Sequence, residues 1–239
     1  MRTPRDIDPL SPAATDSGAA GGISAAVVLA AGAARRFGAP KLLMPFGDST
    51  VLGSVVHALS LAGAAPIVVV AGANAEAVMQ LLGDARVQVV CNPDPDGGMV
   101  SSIRIGVEAL PESIQRFLIA LGDQPRIRAE GISHVMGQHM RSEKGIAIPV
   151  HAGKRGHPII FSPNYRLEIL ALTERQTLRD VIDAHRDDIL EVDCESDAYL
   201  CDIDTREEYE HELRRWHSEQ PYAALKHRAP VVAVRTDEV

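Results

Sequence analysis

Four short apolar runs punctuate the first half of this chain: "AAVVLAA" (25–31), "PIVVVAG" (66–72), "RVQVV" (86–90) and "RFLIALG" (116–122). Runs this short and this apolar read as strands buried on both faces, the pattern of a parallel sheet covered by helices. The segments between them have helical spacing. Val51, Leu52, Val55, Val56 and Leu59 share one face within 48–63, with Asp48, Ser49 and Thr50 as cap candidates. Asn74 is placed to cap a helix through Leu82, and Gly83 to close it. Ser101 or Ser102 opens a third helix ending at Leu110. Strand and helix in strict alternation imply right-handed crossovers and an α/β, Rossmann-like three-layer sandwich.

The second half is less regular. A helix near 129–142 precedes "GIAIPV" (145–150) and "HPIIF" (157–161), which read as a strand pair and bring an antiparallel strand into the sheet. Helices near 163–172 and 176–186 and a strand at 188–193 follow. Thr205 and Glu208 have capping-box spacing at the head of a helix to Trp216. Residues 1–24, rich in Pro, Ala, Gly, Ser and Asp, read as a disordered extension without the apolar stretch of a signal peptide. Residues 25–216 form the domain, and 217–239 a tail in which "PVVAVR" is either an edge strand or unstructured.

Composition narrows the partners. A formal charge of −8 gives no general attraction for nucleic acid, so a bound phosphate must be held by local cations. Three cysteines, Cys91, Cys194 and Cys201, lack metal-ligand spacing and read as reduced thiols of a cytoplasmic protein. No apolar run approaches the roughly 20 residues of a membrane span.

Open parallel sheets bind ligands at the carboxyl ends of their strands. The first strand ends in Gly32 and runs into a loop with Arg35, Arg36, Gly38 and Lys41. Glycines there let backbone N–H groups approach an anion while the cations add charge. The loop is either such a phosphate nest or a solvated basic turn; it is neither a Walker P-loop nor a Rossmann glycine fingerprint. The second strand ends in Gly72 and the third in Asn92, followed by "DGGMVSS". The fourth ends in "GDQP" (122–125). Asp123, directly after an apolar strand, needs a partner: a divalent cation shared with phosphate oxygens, or a local capping or turn role. Asp202 and Asp204 in "CDIDT" alternate as along a strand, so one can be a second metal ligand; Asp204 can instead belong to the cap before Thr205. His157, before a proline, either bonds a substrate or caps a hairpin, whereas His134 and His139 read as structural.

Taken in order, "LAAGAARRFGAPKLL", "NPDPDGGMVSSIRIGV", "LGDQP", "RGHPIIF" and "DIDTREEY" resemble the motifs of the MobA-like nucleotidyltransferases over roughly residues 25–213, nearest the molybdenum cofactor cytidylyltransferase branch. The resemblance implies the nucleotide-diphospho-sugar transferase type of fold. It also implies Mg²⁺-dependent transfer of CMP from CTP to a phosphorylated pterin-type acceptor, and a molybdoenzyme that receives the product. Carried over by motif, Arg36, Lys41 and Asp123 would be catalytic, with Arg36 and Lys41 on the triphosphate. Leu29, Ala30, Ala31, Gly32, Gly72, Asn92, Ser101 and Ser102 would frame the nucleotide. Asp123 and Asp204, or Asp202, would hold Mg²⁺, and His157 would face the acceptor. A methyl at Ala31 narrows the base pocket toward a pyrimidine. The same resemblance leaves GTP, another phosphorylated acceptor and a non-catalytic cofactor carrier as alternatives. It also includes relatives labelled oxidoreductases, although no redox-cofactor motif occurs here. Departures are Phe37 in place of Met, Val100 in place of a small residue, and "TERQTLRDVI" (173–182), where relatives carry a Gly-Asp-x-Gly-Ala-Arg loop near the acceptor.

Overall fold

The computed structural model describes residues 23–32, 37–83, 87–94 and 97–219. Arg35, Arg36, most of the N-terminal extension and the "PVVAVR" segment lie outside the described residues. The four apolar runs form β1 (Ser24–Ala30), β4 (Ile67–Ala71), β5 (Val87–Cys91) and β6 (Arg116–Leu121). The segments between them carry α1 (Val51–Leu61), α2 (Ala75–Leu82) and α3 (Gly98–Glu108). After α4 (Ala129–Arg141) come β7 (Ile146–His151), β8 (Lys154–Arg155) and β9 (Ile159–Phe161). The chain continues through α5 (Arg166–Leu170), α6 (Leu178–Ala184), β10 (Ile189–Asp193) and α7 (Arg206–Glu219).

The main sheet has strand order β10-β7-β9-β6-β1-β4-β5, with β8 paired to β7. Strands β6, β1, β4 and β5 are mutually parallel; β9 runs antiparallel between β6 and β7. β1 is central, and the chain winds outward from it through β4 and β5 before returning to its other side at β6. That reversal creates a crevice at the carboxyl ends of β1 and β6.

Side-chain alternation along β1 feeds two cores. Ala26, Val28 and Ala30 pack with α1, α2, α4 and Tyr209 of α7, whereas Ala25 and Val27 pack with α3, α5 and α6. β1, β4 and β6 are thus covered on both faces, which is why their interiors lack polar positions, whereas β5 at the sheet edge is only half-buried and carries exposed Gln88. Phe117 and Phe161, directly opposite in the β6–β9 register, stack with centroids 5.6 Å apart.

Several local expectations need correction. β1 begins at Ser24, whose carbonyl accepts from Ala65 N, so the first strand takes in a residue one position before the expected run. A short hairpin, β2 (Pro45–Phe46) with β3 (Ser49–Thr50), stands before α1; of the three cap candidates Thr50 is the N-cap, accepting from Gly53 N. Asn74 sits at its N-cap position without a side-chain cap bond, while Gly83 closes α2 in the left-handed region. α3 starts at Gly98, so neither serine is its cap: Ser101 bonds back to the Gly98 carbonyl. Residues 201–204 are not a strand. α7 continues past Trp216 to Glu219.

α3 lies so close to the sheet that a Cβ on Gly106 would stand 2.3 Å from Val27 Cγ1 and 2.9 Å from Val70 Cγ2. Gly106→Ala is therefore expected to destabilise the fold by about 1–3 kcal/mol. Gly137→Ala in α4, where the nearest atom is the flexible Arg141 guanidinium at 3.4 Å, should stabilise by up to about 1 kcal/mol. Urea unfolding midpoints of the two variants check both.

Candidate active site

The carboxyl ends of β1 and β6 are drawn together by backbone. Gly122 N donates to the Leu29 carbonyl at 2.9 Å, and a Cβ on Gly122 would come 2.9 Å from that same oxygen. Gly72 lies equally close on the other side: its Cβ would meet the Ala31 carbonyl at 2.8 Å. Only residues without a side chain fit beside the end of β1, so both glycines after β4 and β6 have a steric reason. Ala30 is buried, Ala31 half-buried and Gly32 exposed at the lip of the crevice.

Beyond the basic loop the chain is pinned by Phe37. Its ring is buried, meets Tyr209 edge-on at 6.0 Å, and carries the Arg206 guanidinium 5.8 Å from its centre. Gly38 then adopts φ +72°, and Pro40 leads into a single 3₁₀ turn, Lys41–Leu43. This turn points Lys41 inward rather than into solvent.

Lys41 Nζ lies 2.8 Å from Asp123 Oδ2, 3.0 Å from Asp204 Oδ1 and 2.5 Å from the Ile203 carbonyl. Burial works against its charge, but the two carboxylates outweigh it and hold the ammonium above its ordinary pKa. Asp123 shows the opposing pull: burial raises its carboxyl, Lys41 lowers it only in part, and nearby Asp202 adds to the rise. The 201–204 segment is fixed here by Ile203, whose side chain is fully buried and whose N–H donates to the Asp123 carbonyl at 3.0 Å. Asp202 and Asp204 flank that anchor; Asp204 reaches Lys41, and Asp202 is exposed. The Thr205–Glu208 capping box holds the next turn, with Glu208 Oε2 also accepting from Asp204 N.

Two carboxylates offer hard oxygen donors of the kind Mg²⁺ or Mn²⁺ takes with phosphate oxygens and water. Among the described residues no group of three or more His, Cys, Asp or Glu could hold a metal by itself. A pair of carboxylates is a donor set that fits a divalent cation whose other ligands are phosphate oxygens and water.

The remaining expected residues form a second group. Asn92, buried at the end of β5, donates through Nδ2 to Ser101 Oγ at 2.8 Å and Ser102 Oγ at 2.9 Å, while its Oδ1 accepts from Asp94 N. Because β1, β4, β5 and β6 are parallel, this cluster shares their carboxyl edge with Lys41 and Asp123. His157 stands past the β7–β8 hairpin, its N–H on the Tyr199 carbonyl at 3.0 Å. Burial pushes its imidazole down to about 4, so the ring is neutral at pH 7 and offers one N–H and one lone pair.

One buried ion-pair network has no counterpart among the sequence expectations. Arg126, its side chain 1% exposed, bonds Glu212 of α7, Asp197 at 2.7 Å and Glu219 at 2.8 Å. Arg215 closes the network on Asp197 at 2.6 Å. Asp197 is thereby held well below the usual carboxylate range, by Arg215 and Arg126. Gln124, also buried, donates to the Tyr199 carbonyl at 3.2 Å. The residues just after Asp123 thus lock its loop to α7. The available signal was the spacing of Glu212, Arg215 and Glu219, which puts three charges on one helix face.

Arg126→Met would take the direct guanidinium partner from buried Glu212, leaving only Arg215 and His211 at 3.9 Å, and is expected to cost about 3–5 kcal/mol in urea unfolding. His157 makes a pH prediction. Its folded pKa is lowered below that of an unfolded chain, about 6.5, so the unfolded state takes up the extra proton as pH falls. Stability is lost from about pH 6.5 down toward 4 and is unaffected above. His157→Gln should lose less stability between pH 7 and pH 5 than the parent, by unfolding midpoints at the two values.

Comparison with known proteins agrees with this geometry. Residues 26–189 match the MobA-like NTP transferase domain. The nicotine blue oxidoreductase of Paenarthrobacter nicotinovorans is 27% identical over 189 residues, covering 76% of this chain and 92% of that protein. The molybdenum cofactor cytidylyltransferase of Escherichia coli K12 is 23% identical over 185 residues, covering 77% and 92%. Among solved structures, Rv0371c of Mycobacterium tuberculosis H37Rv superposes with a TM-score of 0.73 at 26% identity, over 82% of this chain and 99% of that one. A manganese complex of that same protein superposes with a TM-score of 0.67 at 27% identity, over 82% of this chain and all of that one. The match covers most of the described fold and every strand of its parallel half: this chain belongs to the MobA-like NTP transferase family, a family of nucleotidyltransferases.

Proposed function

We propose that the chain is a Mg²⁺-dependent cytidylyltransferase that transfers CMP from CTP to the phosphate of molybdopterin, releasing pyrophosphate. The observation that carries this reading is the meeting of Lys41, Asp123 and Asp204, brought from loops 82 and 163 residues apart, at the sheet's topological switch point. The relative named molybdenum cofactor cytidylyltransferase supports the choice of substrates.

An oxygen of the acceptor phosphate forms a bond to the α-phosphorus, and the α–β bridging bond breaks with pyrophosphate as leaving group. The acceptor is already an anion, so the chain needs no general base; its work is positioning and charge neutralisation. The loop with Arg36 takes the triphosphate. Asp123 and Asp204 would hold Mg²⁺, which would supply charge neutralisation to the triphosphate. Backbone from Leu29 to Gly32, Gly72, and the Asn92–Ser101–Ser102 cluster frame the nucleoside, with the Ala31 methyl limiting base size. Neutral His157 donates its N–H toward the acceptor. All three cysteines are free thiols, in keeping with a reducing, cytoplasmic setting where CTP and the apo-molybdoenzyme that takes the product occur. Among the described residues no helix is long and apolar enough to cross a membrane.

A second reading, a different acceptor on the same machinery, is favoured by "TERQTLRDVI" standing where relatives have their acceptor loop. Pyrophosphate release measured for CTP and GTP, each with and without molybdopterin, separates the readings. Turnover is expected only with CTP, molybdopterin and Mg²⁺ together. Turnover with GTP or without the pterin overturns the substrate assignment; tight molybdopterin binding with no turnover marks a carrier. Asp123→Asn should cut kcat about 10²–10³-fold while CTP binding weakens little, since the lost charge acts mainly in the transition state. Unchanged kcat would remove Asp123 from the metal site.

A further inference from the structure

We propose that Tyr199 is a positioning residue: its backbone carbonyl joins the loop of Asp123 to His157, and its ring, seated on Gly131, sets where that carbonyl stands. The inference deepens the proposed reaction and rests on it for the acceptor-side role of His157. β9 is antiparallel to both β6 and β7, and β10 is parallel to β7. The chain leaving β6 at Asp123, the chain entering β9 at His157 and the chain leaving β10 therefore share one edge of the sheet. After β10 a single 3₁₀ turn, Asp197–Tyr199, brings Tyr199 against the other two.

A carbonyl oxygen has two lone pairs. That of Tyr199 accepts from Gln124 Nε2 at 3.2 Å and from His157 N at 3.0 Å. One atom thus links the residue after Asp123 to His157. The approach is close: a Cβ on Gly156 would stand 2.3 Å from the same oxygen and 2.9 Å from Tyr199 Cβ. The segment is pinned on both sides, Asp197 by Arg126 at 2.7 Å and Ile203 N by the Asp123 carbonyl at 3.0 Å. Between these pins the ring of Tyr199, 4% exposed, turns inward to α4. A Cβ on Gly131 would stand 1.7 Å from its hydroxyl and 3.0 Å from Cζ, so the ring lies flush on a helix position open only to glycine. A methyl there must push the ring off its seat, and a cavity of about 650 Å³ bordered by Gly131, His134, Cys194 and Tyr199 gives it room to move. The carbonyl moves with the ring, and so do the two groups it holds. Side chains that meet substrate keep their geometry through such supports.

The test compares the parent with Gly131→Ala, Tyr199→Phe and the double variant Gly131→Ala/Tyr199→Phe. Pyrophosphate release is titrated against CTP and against molybdopterin, and amide hydrogen exchange is followed at His157. Gly131→Ala is expected to raise the KM for molybdopterin by about tenfold while that for CTP stays within about twofold. Its His157 amide should exchange about tenfold faster than the parent's, with no change at Val28 in β1. Tyr199→Phe is the reference for the double variant, since Phe keeps the ring and the carbonyl and gives up only the hydroxyl with its bond to Cys194. The double variant should lie within about twofold of that reference on both readouts, because the hydroxyl that meets the new methyl is gone. An unchanged KM for molybdopterin in Gly131→Ala overturns the proposal, as does an equal rise in both KM values. A double variant no better than Gly131→Ala also overturns it. Should Gly131→Ala not fold, Tyr199→Leu carries the test: it withdraws the ring from Gly131 and should show the same split in KM and the same faster exchange. If neither folds, Tyr199 is structural alone and the proposal fails. If the parent releases no pyrophosphate from any nucleotide, the proposed reaction fails, while exchange at His157 still reports on Tyr199.

Discussion

A buried ammonium between two carboxylates is the interaction on which the site depends. Taking such charges out of water is costly, and the cost is offset only when every donor finds an acceptor in good geometry. Lys41 meets that condition with contributions from three distant stretches of chain: its own turn after β1, Asp123 after β6, and Ile203–Asp204 before α7. The arrangement fixes more than charge. It ties the switch point of the sheet to the C-terminal helix, so the last element of the described fold is tethered to the first strand's loop.

Around this tether the protein spends much of its polar burial on rigidity. Arg126 lies three residues beyond Asp123 and is enclosed by Glu212, Asp197 and Glu219. Breaking such a network by removing one member leaves an uncompensated buried charge, which makes the network a strong constraint on geometry even where its net contribution to stability is small. The loop holding Asp123 is thus clamped from both sides, by Lys41 within the crevice and by α7 behind it. Catalysis by electrostatic preorganisation asks for this kind of support, because charge stabilisation is lost when the stabilising groups must reorganise.

Much of this was legible in the sequence, for physical reasons that can be named. The runs at β1, β4 and β6 are legible because a strand covered on both faces has no polar positions in its interior to obscure it, while edge strand β5 is legible from its alternation about exposed Gln88. The placing of Gly72 and Gly122 at strand ends is legible because close backbone approach excludes a Cβ, and the distances to Ala31 and Leu29 carbonyls bear this out. Asp123 and Asp204 meet on Lys41, but not by way of a strand: 201–204 is irregular, and fully buried Ile203 anchors the turn between Asp202 and Asp204. The Ile203 carbonyl itself carries no sequence signal, since every residue has one. Ser101 and Ser102 looked like caps because serine at a helix start usually is one. The glycines before them let α3 begin three residues earlier, and Asn92 instead gathers both hydroxyls. Arg126 was passed over because a lone arginine in a loop gives no hint of burial until the partners on α7 fold against it.

Phe37 has a consequence that reaches across the molecule. Its ring is wedged between Tyr209 and Arg206, and the neighbouring hairpin turn at Gly47 closes against Trp216, so a Cβ there would stand 2.4 Å from the indole. Both ends of the segment that follows the basic loop therefore rest on α7. A truncation or fusion that frays this terminal helix would reach the Lys41–Asp123 cluster from behind, and α7 is best regarded as the hidden back wall of the crevice.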